Sequence, residues 1–152
     1  VIKTINKFKP LKFRQEVIHQ SKYLKIINDS KSTTLSSTVP FLESNEKIIW
    51  ILGGLFKKGD KFNLNKKYFK NLEAYIYGKD RKVFLKLFKN KIKVNLSKDL
   101  RNTLKLIPNL KDIKTKVTVL FSPSAASFDQ YKNFEERGRQ FNMLIKRYLP
   151  IE

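Results

Sequence analysis

"KVTVLFSPSAASFDQYKNFEERGRQF", residues 116–141, reads in three parts. A β-branched run from Val117 to Val119 leads into Leu120 and Phe121, which predicts a short buried strand. Six small residues, Ser122 to Ser127, then carry three hydroxyls and one proline. From Asn133 onward Phe134, Gly138, Phe141, Ile145 and Tyr148 recur every three or four residues, the period of an amphipathic helix laid on a sheet. Asn133 with Glu136, and Ser127 with Gln130, each have the spacing of a helix-start cap. Strand, tight turn and helix in this order form the unit from which open parallel sheets are built.

The same alternation extends back along the chain. "FRQEVIH" and "YLKIIND", separated by Gln-Ser-Lys, predict a hairpin. Ser36 to Leu42 predicts a short helix. "KIIWIL" is an unbroken apolar run stopped by Gly53-Gly54, the pattern of a strand covered on both faces. "NLNKKYFKNL" has helical character, "EAYIYG" reads as a strand and "DRKVFLKLFK" as a helix. "KIKV" is a weaker strand, and "SKDLRNTLKLI" a helix with Ser97 as its expected N-cap. The expected fold is α/β: a Rossmann-like, mostly parallel sheet flanked by helices, with an N-terminal β-hairpin. Residues 1–12, "VIKTINKFKPLK", set Ile2, Ile5 and Phe8 at helical spacing ahead of a proline, and the chain begins with Val. They are expected to be the tail of a preceding domain and a linker, with residues 13–152 forming the domain proper.

The composition narrows the function. The 152 residues are 41% hydrophobic and include no cysteine, so neither a disulfide framework nor a cysteine zinc site is available. No apolar run approaches membrane-span length, and a cytoplasmic home is expected. The net charge of +20 comes from 33 basic residues, only six of them Arg, scattered along the chain. Without an arginine cluster, zinc-finger spacing or a single-strand aromatic signature, this charge predicts a solvated surface rather than specific nucleic-acid binding.

In open parallel sheets ligands bind beyond the carboxyl ends of the strands. Three loops at such ends stand out: "NDSKSTT" after the second strand, "GGLFKKG" after the apolar one, and "SPSAAS" after the last. Gathered at one edge, they would suit an anionic ligand. "GGLFKKGDK" lacks the Lys-Ser or Lys-Thr of a nucleotide phosphate loop. His19, the only histidine, reads as an edge residue, and no nucleophile triad or metal-ligand spacing is present.

Taken in order and spacing, "FRQEVI", "INDSKSTT", "WILGGLFKKG" and "LFSPSAASFDQYKNFEERGRQF" resemble the C-terminal domain of the Mur ligase family, in its D-glutamate-adding branch. The resemblance runs from about Phe8 to Leu149. The Asn-Asp-Ser-Lys motif carries the choice of branch; the sibling branches' Asp-Tyr-x-His, Asn-x-Asn-Pro and Asp-Asn-Pro-Arg signatures are absent. It implies an ADP-forming ligase of peptidoglycan synthesis, serving cell-wall building, cell shape and division. Such a ligase joins D-glutamate to UDP-N-acetylmuramoyl-L-alanine through an acyl phosphate, with ATP and Mg2+ as cofactors. The phosphate loop and metal ligands would lie in N-terminal and central domains outside this chain, so the chain alone is expected to be inactive and monomeric. By position, the resemblance assigns Arg14, Asp29 and Lys31 to ATP, with Lys31 at the transferring group. It assigns Thr33, Lys57, Ser127 and the backbone around Phe134 to the D-glutamate carboxylates. Phe13, where the family commonly has His, and Thr34, commonly Asn, depart from the pattern; Ser124 stands where Ala or Cys is frequent. Two alternatives stay open: a basic nucleotide- or nucleic-acid-binding α/β module, and the domain of another Mur or folylpolyglutamate-type ligase.

Overall fold

A computed structural model describes residues 11–149; most of the expected tail and linker lies outside the described residues. The strands are β1 (Glu16–Gln20), β2 (Leu24–Asn28), β3 (Lys47–Gly53), β4 (Leu72–Tyr77), β5 (Lys93–Leu96) and β6 (Val117–Phe121). The helices are α1 (Leu35–Leu42), α2 (Arg81–Phe88), α3 (Leu100–Leu106) and α4 (Phe134–Tyr148), with a 3-10 turn over Lys66–Asn71. The six strands form one sheet in the order β1-β2-β6-β3-β4-β5. Only the β1–β2 hairpin is antiparallel. The α/β reading with its N-terminal hairpin therefore holds.

The apolar run of β3 explains the layering. Successive side chains of a strand point to opposite faces. Ile49 and Ile51 pack with Val119, Phe121 and the α3 and α4 residues Leu104, Phe141 and Ile145. Ile48, Trp50 and Leu52 face the other way, into Leu35 and Leu42 of α1 and Phe84 and Phe88 of α2. Trp50 is fully buried, tilted against Phe88 at 5.3 Å between ring centroids. Its indole N–H donates to the Ser122 carbonyl at 2.9 Å, tying that core to the loop after β6.

Several local expectations change. The first strand begins at Glu16, not Phe13, because Phe13 and Gln15 adopt positive φ values of 63° and 46° in the preceding turn. Phe13 is buried, with its ring against Gly138, where an added Cβ would lie 2.5 Å from it. "NLNKKYFKNL" yields only the 3-10 turn. The N-cap of α3 is Asp99, whose side chain accepts from Asn102 N–H at 2.8 Å. Ser97 cannot begin the helix because Asp99, two residues on, still has extended backbone, φ −147° and ψ 170°. Asn133 does cap α4, accepting from Glu136 N–H at 2.9 Å. Ser127 and Gln130 start no helix; the Ser127 carbonyl accepts from Gln130 and Tyr131 N–H in a turn.

Candidate functional site

The three loops meet at the carboxyl edge of the sheet. After β2, the Asp29 N–H donates to the Phe121 carbonyl at 2.7 Å and Ser122 Oγ donates to Asp29 Oδ2 at 2.7 Å. After β3, the Gly53 N–H donates to Pro123, and Leu55 and Ala126 exchange N–H···O bonds of 3.0 and 3.2 Å as an isolated antiparallel bridge. Gly54 permits this approach: its φ is +130°, and a Cβ there would lie 2.3 Å from the Ala126 carbonyl. Backbone pairing thus fixes the loops to one another.

Around that seam the residues expected to bind ligand differ in exposure. Arg14, Thr33 and Lys57 are exposed, each on a different loop. Lys31 is half-buried, its Nζ 5.7 Å from the centroid of the Phe134 ring. Ser127 is 4% exposed, and its hydroxyl makes no hydrogen bond to a described residue. Phe134 opens α4, whose first turn presents backbone N–H groups and a favourable dipole to an anion. Asp29 is buried as well, but hydrogen-bonded. It is 5% exposed, with Oδ1 accepting from Gln15 N–H at 3.1 Å and Oδ2 from Ser122. Burial pushes its carboxyl above the ordinary aspartate value; the Ser122 and Gln15 hydrogen bonds and the Arg14 charge oppose that shift.

The chemistry of the donor set fits an anion. Arg14 and Lys31 suit phosphate oxygens, and each Asp29 oxygen keeps a lone pair for a ribose hydroxyl. Phe13, in contrast, is packed away against α4 and offers no polar contact. Among the described residues no three His, Cys, Asp or Glu side chains gather as metal ligands. The edge is an open shelf. A cleft of about 670 Å³ lies at the other end of the sheet, lined by Leu24, Ile107, Leu110 and Leu149, and a second of about 380 Å³ runs beside Tyr131 and Arg139. Neither includes an expected ligand residue.

Sequence reasoning missed the residues that hold this shelf together. Asn28 Nδ2 donates to the Gly138 carbonyl and to Asn142 Oδ1 at 2.9 and 2.8 Å, joining β2 to α4. Ser32, Thr38, Ser122 and Ser124 form a buried hydroxyl chain with contacts of 2.7 Å, so Ser124 has a structural task. Arg137 is fully buried and reaches Ser30, Ser32 and Ala125. Its signal was available: a charged residue one turn after Phe134 and one before Phe141 lies on the buried stripe. Nearby, the Tyr77 hydroxyl is buried without a partner among the described residues, its pKa pushed up to about 12, chiefly by burial.

No family model matches the chain. Curated relatives match along nearly all of it. The UDP-N-acetylmuramoylalanine–D-glutamate ligase of Wolbachia pipientis wMel is 34% identical over 142 residues, 93% of this chain and 28% of that protein. The enzyme of the same name from Buchnera aphidicola subsp. Schizaphis graminum is 41% identical, over 95% of this chain and 33% of the relative. That from Hydrogenobaculum sp. is 32% identical, over 96% and 35%. The chain thus spans about a third of the length of the curated relatives it matches. In fold it is similar to the UDP-N-acetylmuramate-alanine ligase of Thermotoga maritima, with a TM-score of 0.63 and 16% identity, over 96% of this chain and 32% of that one. The likeness to the solved alanine ligase shows the shared fold, and the sequence similarity along nearly its whole length makes this chain a member of the Mur ligase family.

Proposed function

We propose that this chain is the C-terminal, acceptor-binding domain of an ATP-dependent ligase that adds D-glutamate to UDP-N-acetylmuramoyl-L-alanine in peptidoglycan synthesis. The domain begins at about residue 13 and works in the cytoplasm as part of a monomer. The observation that carries the reading is the joining of three loops at one sheet edge. They carry Lys31, Thr33, Lys57 and Ser127, and the Lys31 Nζ lies 5.7 Å from the ring of Phe134, the first residue of α4. Two carboxylates of an acceptor amino acid need such a set: cations on either side, a hydroxyl, and free backbone N–H groups. In the reaction ATP, with Mg2+ held by other domains, activates the muramoyl-alanine carboxyl as an acyl phosphate, which the D-glutamate amine attacks. This chain's residues position and match charge. Arg14 and Lys31 steady phosphate oxygens, Asp29 receives the ribose, and Thr33, Lys57, Ser127 and the Phe134 backbone hold glutamate.

Kinetics on the full-length ligase containing this chain test the assignment. Losing a charge-assisted bond to a carboxylate costs about 1.5–3 kcal/mol, so Lys57→Ala and Ser127→Ala should each raise the glutamate KM roughly ten- to a hundredfold. The ATP KM should respond instead to Arg14→Ala and Asp29→Ala. Normal glutamate kinetics in both acceptor-site variants would overturn the assignment. ADP formation by the chain alone, dependent on both substrates, would overturn its place as one domain of a larger enzyme.

A further inference from the structure

Arg137 is the most deeply placed charge among the described residues. It is 0% exposed and every acceptor it meets is neutral. Its Nε donates to Ser30 Oγ at 3.1 Å, Nη1 to the Ala125 carbonyl at 2.8 Å, and Nη2 to the Ser30 and Ser32 carbonyls at 2.6 and 3.4 Å. None of the ion pairs formed among the described residues includes it. These bonds satisfy donors, yet leave the guanidinium without an ion-pair partner in a region removed from water, an arrangement a protein rarely keeps without a task. Of the acidic groups that act on it, Tyr77, Asp129 and Tyr131, only Asp129 is a carboxylate, and that carboxylate is also occupied by the Lys79 N–H at 2.9 Å.

The placement is specific. Ser30 and Ser32 flank Lys31, and Ala125 is two residues before Ser127. The guanidinium therefore lies under the junction of the two loops that carry Lys31, Thr33 and Ser127. In a low-dielectric setting a charge acts over several ångströms without contact. We propose that Arg137 is a positioning residue that fixes both loops and supplies a positive field, tied up in no ion pair, that selects an acidic acceptor. This rests on the acceptor-site reading above.

The test separates charge from scaffold in the full-length ligase that contains this chain. Arg137→Gln keeps some hydrogen bonding and loses the charge; Arg137→Lys keeps the charge and loses the fork. Arg137→Gln should raise the D-glutamate KM roughly tenfold, as expected for a buried charge several ångströms away, with the ATP and UDP-substrate KM values moving less than about threefold. Arg137→Lys should restore the D-glutamate KM to within about threefold, although its Tm falls as well. Should the Gln variant fail to fold, Asp129→Asn reads the same field from the other side, lowering the D-glutamate KM about two- to threefold. The inference is overturned if Lys and Gln variants lose glutamate affinity equally, if all three KM values rise together, if Arg137→Gln leaves the glutamate KM unchanged, or if Asp129→Asn fails to lower it. A parent enzyme without D-glutamate-dependent activity would instead defeat the proposed function, and this inference with it.

Discussion

Asp29 and Glu73 are carboxylates at opposite ends of one sheet, and their surroundings differ in kind. Glu73, near the start of β4, accepts from the Tyr75 hydroxyl at 2.9 Å and pairs with Lys93 and Lys47 at 3.2 and 3.5 Å. Asp29, just past the end of β2, is nearly covered and takes only a serine hydroxyl and a backbone N–H. Arg137, at the same end, is buried without a carboxylate partner. The amino end neutralises its charges locally. The carboxyl end keeps opposite charges buried and apart, and fixes the loops around them through backbone pairing. Charges held apart cost stability and retain the power to act on something else, as expected of a ligand-binding edge.

The sharpest way to break this contrast is at the backbone seam. Gly53 has φ +144°, and a Cβ there would sit 2.0 Å from the Tyr77 carbonyl, while Gly59 has φ +85° with open space around it. Left-handed strain adds to overpacking at Gly53, so Gly53→Ala should cost about 3 kcal/mol or more, and Gly59→Ala about 1 kcal/mol. Urea unfolding of the chain measures both. Equal costs would mean that the seam does not carry the carboxyl edge.

The pH dependence of stability sharpens the contrast between the carboxylates, since the two should act with opposite sign. For Glu73 burial raises the pKa, but the Tyr75 and Lys93 hydrogen bonds and the two lysine charges outweigh it, leaving the value below the ordinary 4.5. Its contribution is present above pH 4.5 and lost as pH falls through the depressed value. Glu73→Gln should therefore cost about 1 kcal/mol at pH 7 and progressively less in acid. For Asp29 burial raises the pKa above 3.8, so the folded state binds the proton more tightly than the unfolded chain. Stability from this group falls as pH rises from about 4 through the raised value. Asp29→Asn should accordingly gain relative to the parent as pH rises above about 4, whereas Glu73→Gln should lose its disadvantage only as pH falls below 4.5. Denaturation series spanning both windows check the contrast; both variants changing in the same window and with the same sign would collapse the distinction.

How far the sequence carries this contrast depends on the kind of interaction. Strand β3 is legible because "KIIWIL" has apolar side chains for both faces, and the core uses both. The start of α3 is not, because Ser97 and Asp99 are both good caps. The choice falls to the backbone, which stays extended through Asp99 where bonds to β4 and the residue after it hold Ser97 and Lys98. The same holds at Ser127, where the Leu55–Ala126 bridge spends the chain on a turn before α4 can begin. The site's loops could be placed at strand ends by alternation alone. Their mutual fixing could not, since it runs through backbone groups and through Arg137, whose partners are remote in sequence by as much as 107 residues.

The smallest expected effect concerns Lys57. This residue is exposed in the loop after β3, and only its carbonyl is used, accepting from Asp60 N–H at 3.0 Å. The loop is held elsewhere, by the Leu55–Ala126 bridge and by Asp80 Oδ2, which accepts from Phe56 N–H at 2.8 Å. Removing the ammonium takes away no packing and no fixing bond. Lys57→Ala should change unfolding free energy by less than about 0.5 kcal/mol, the usual range for surface substitutions. Thermal and urea unfolding of parent and variant, run side by side, make the comparison. A loss above about 1 kcal/mol would place Lys57 within the scaffold of the carboxyl edge, and a rise in its glutamate KM could then reflect a displaced loop. Unchanged stability leaves the side chain as a cation whose work is directed outward, toward whatever anion the shelf receives.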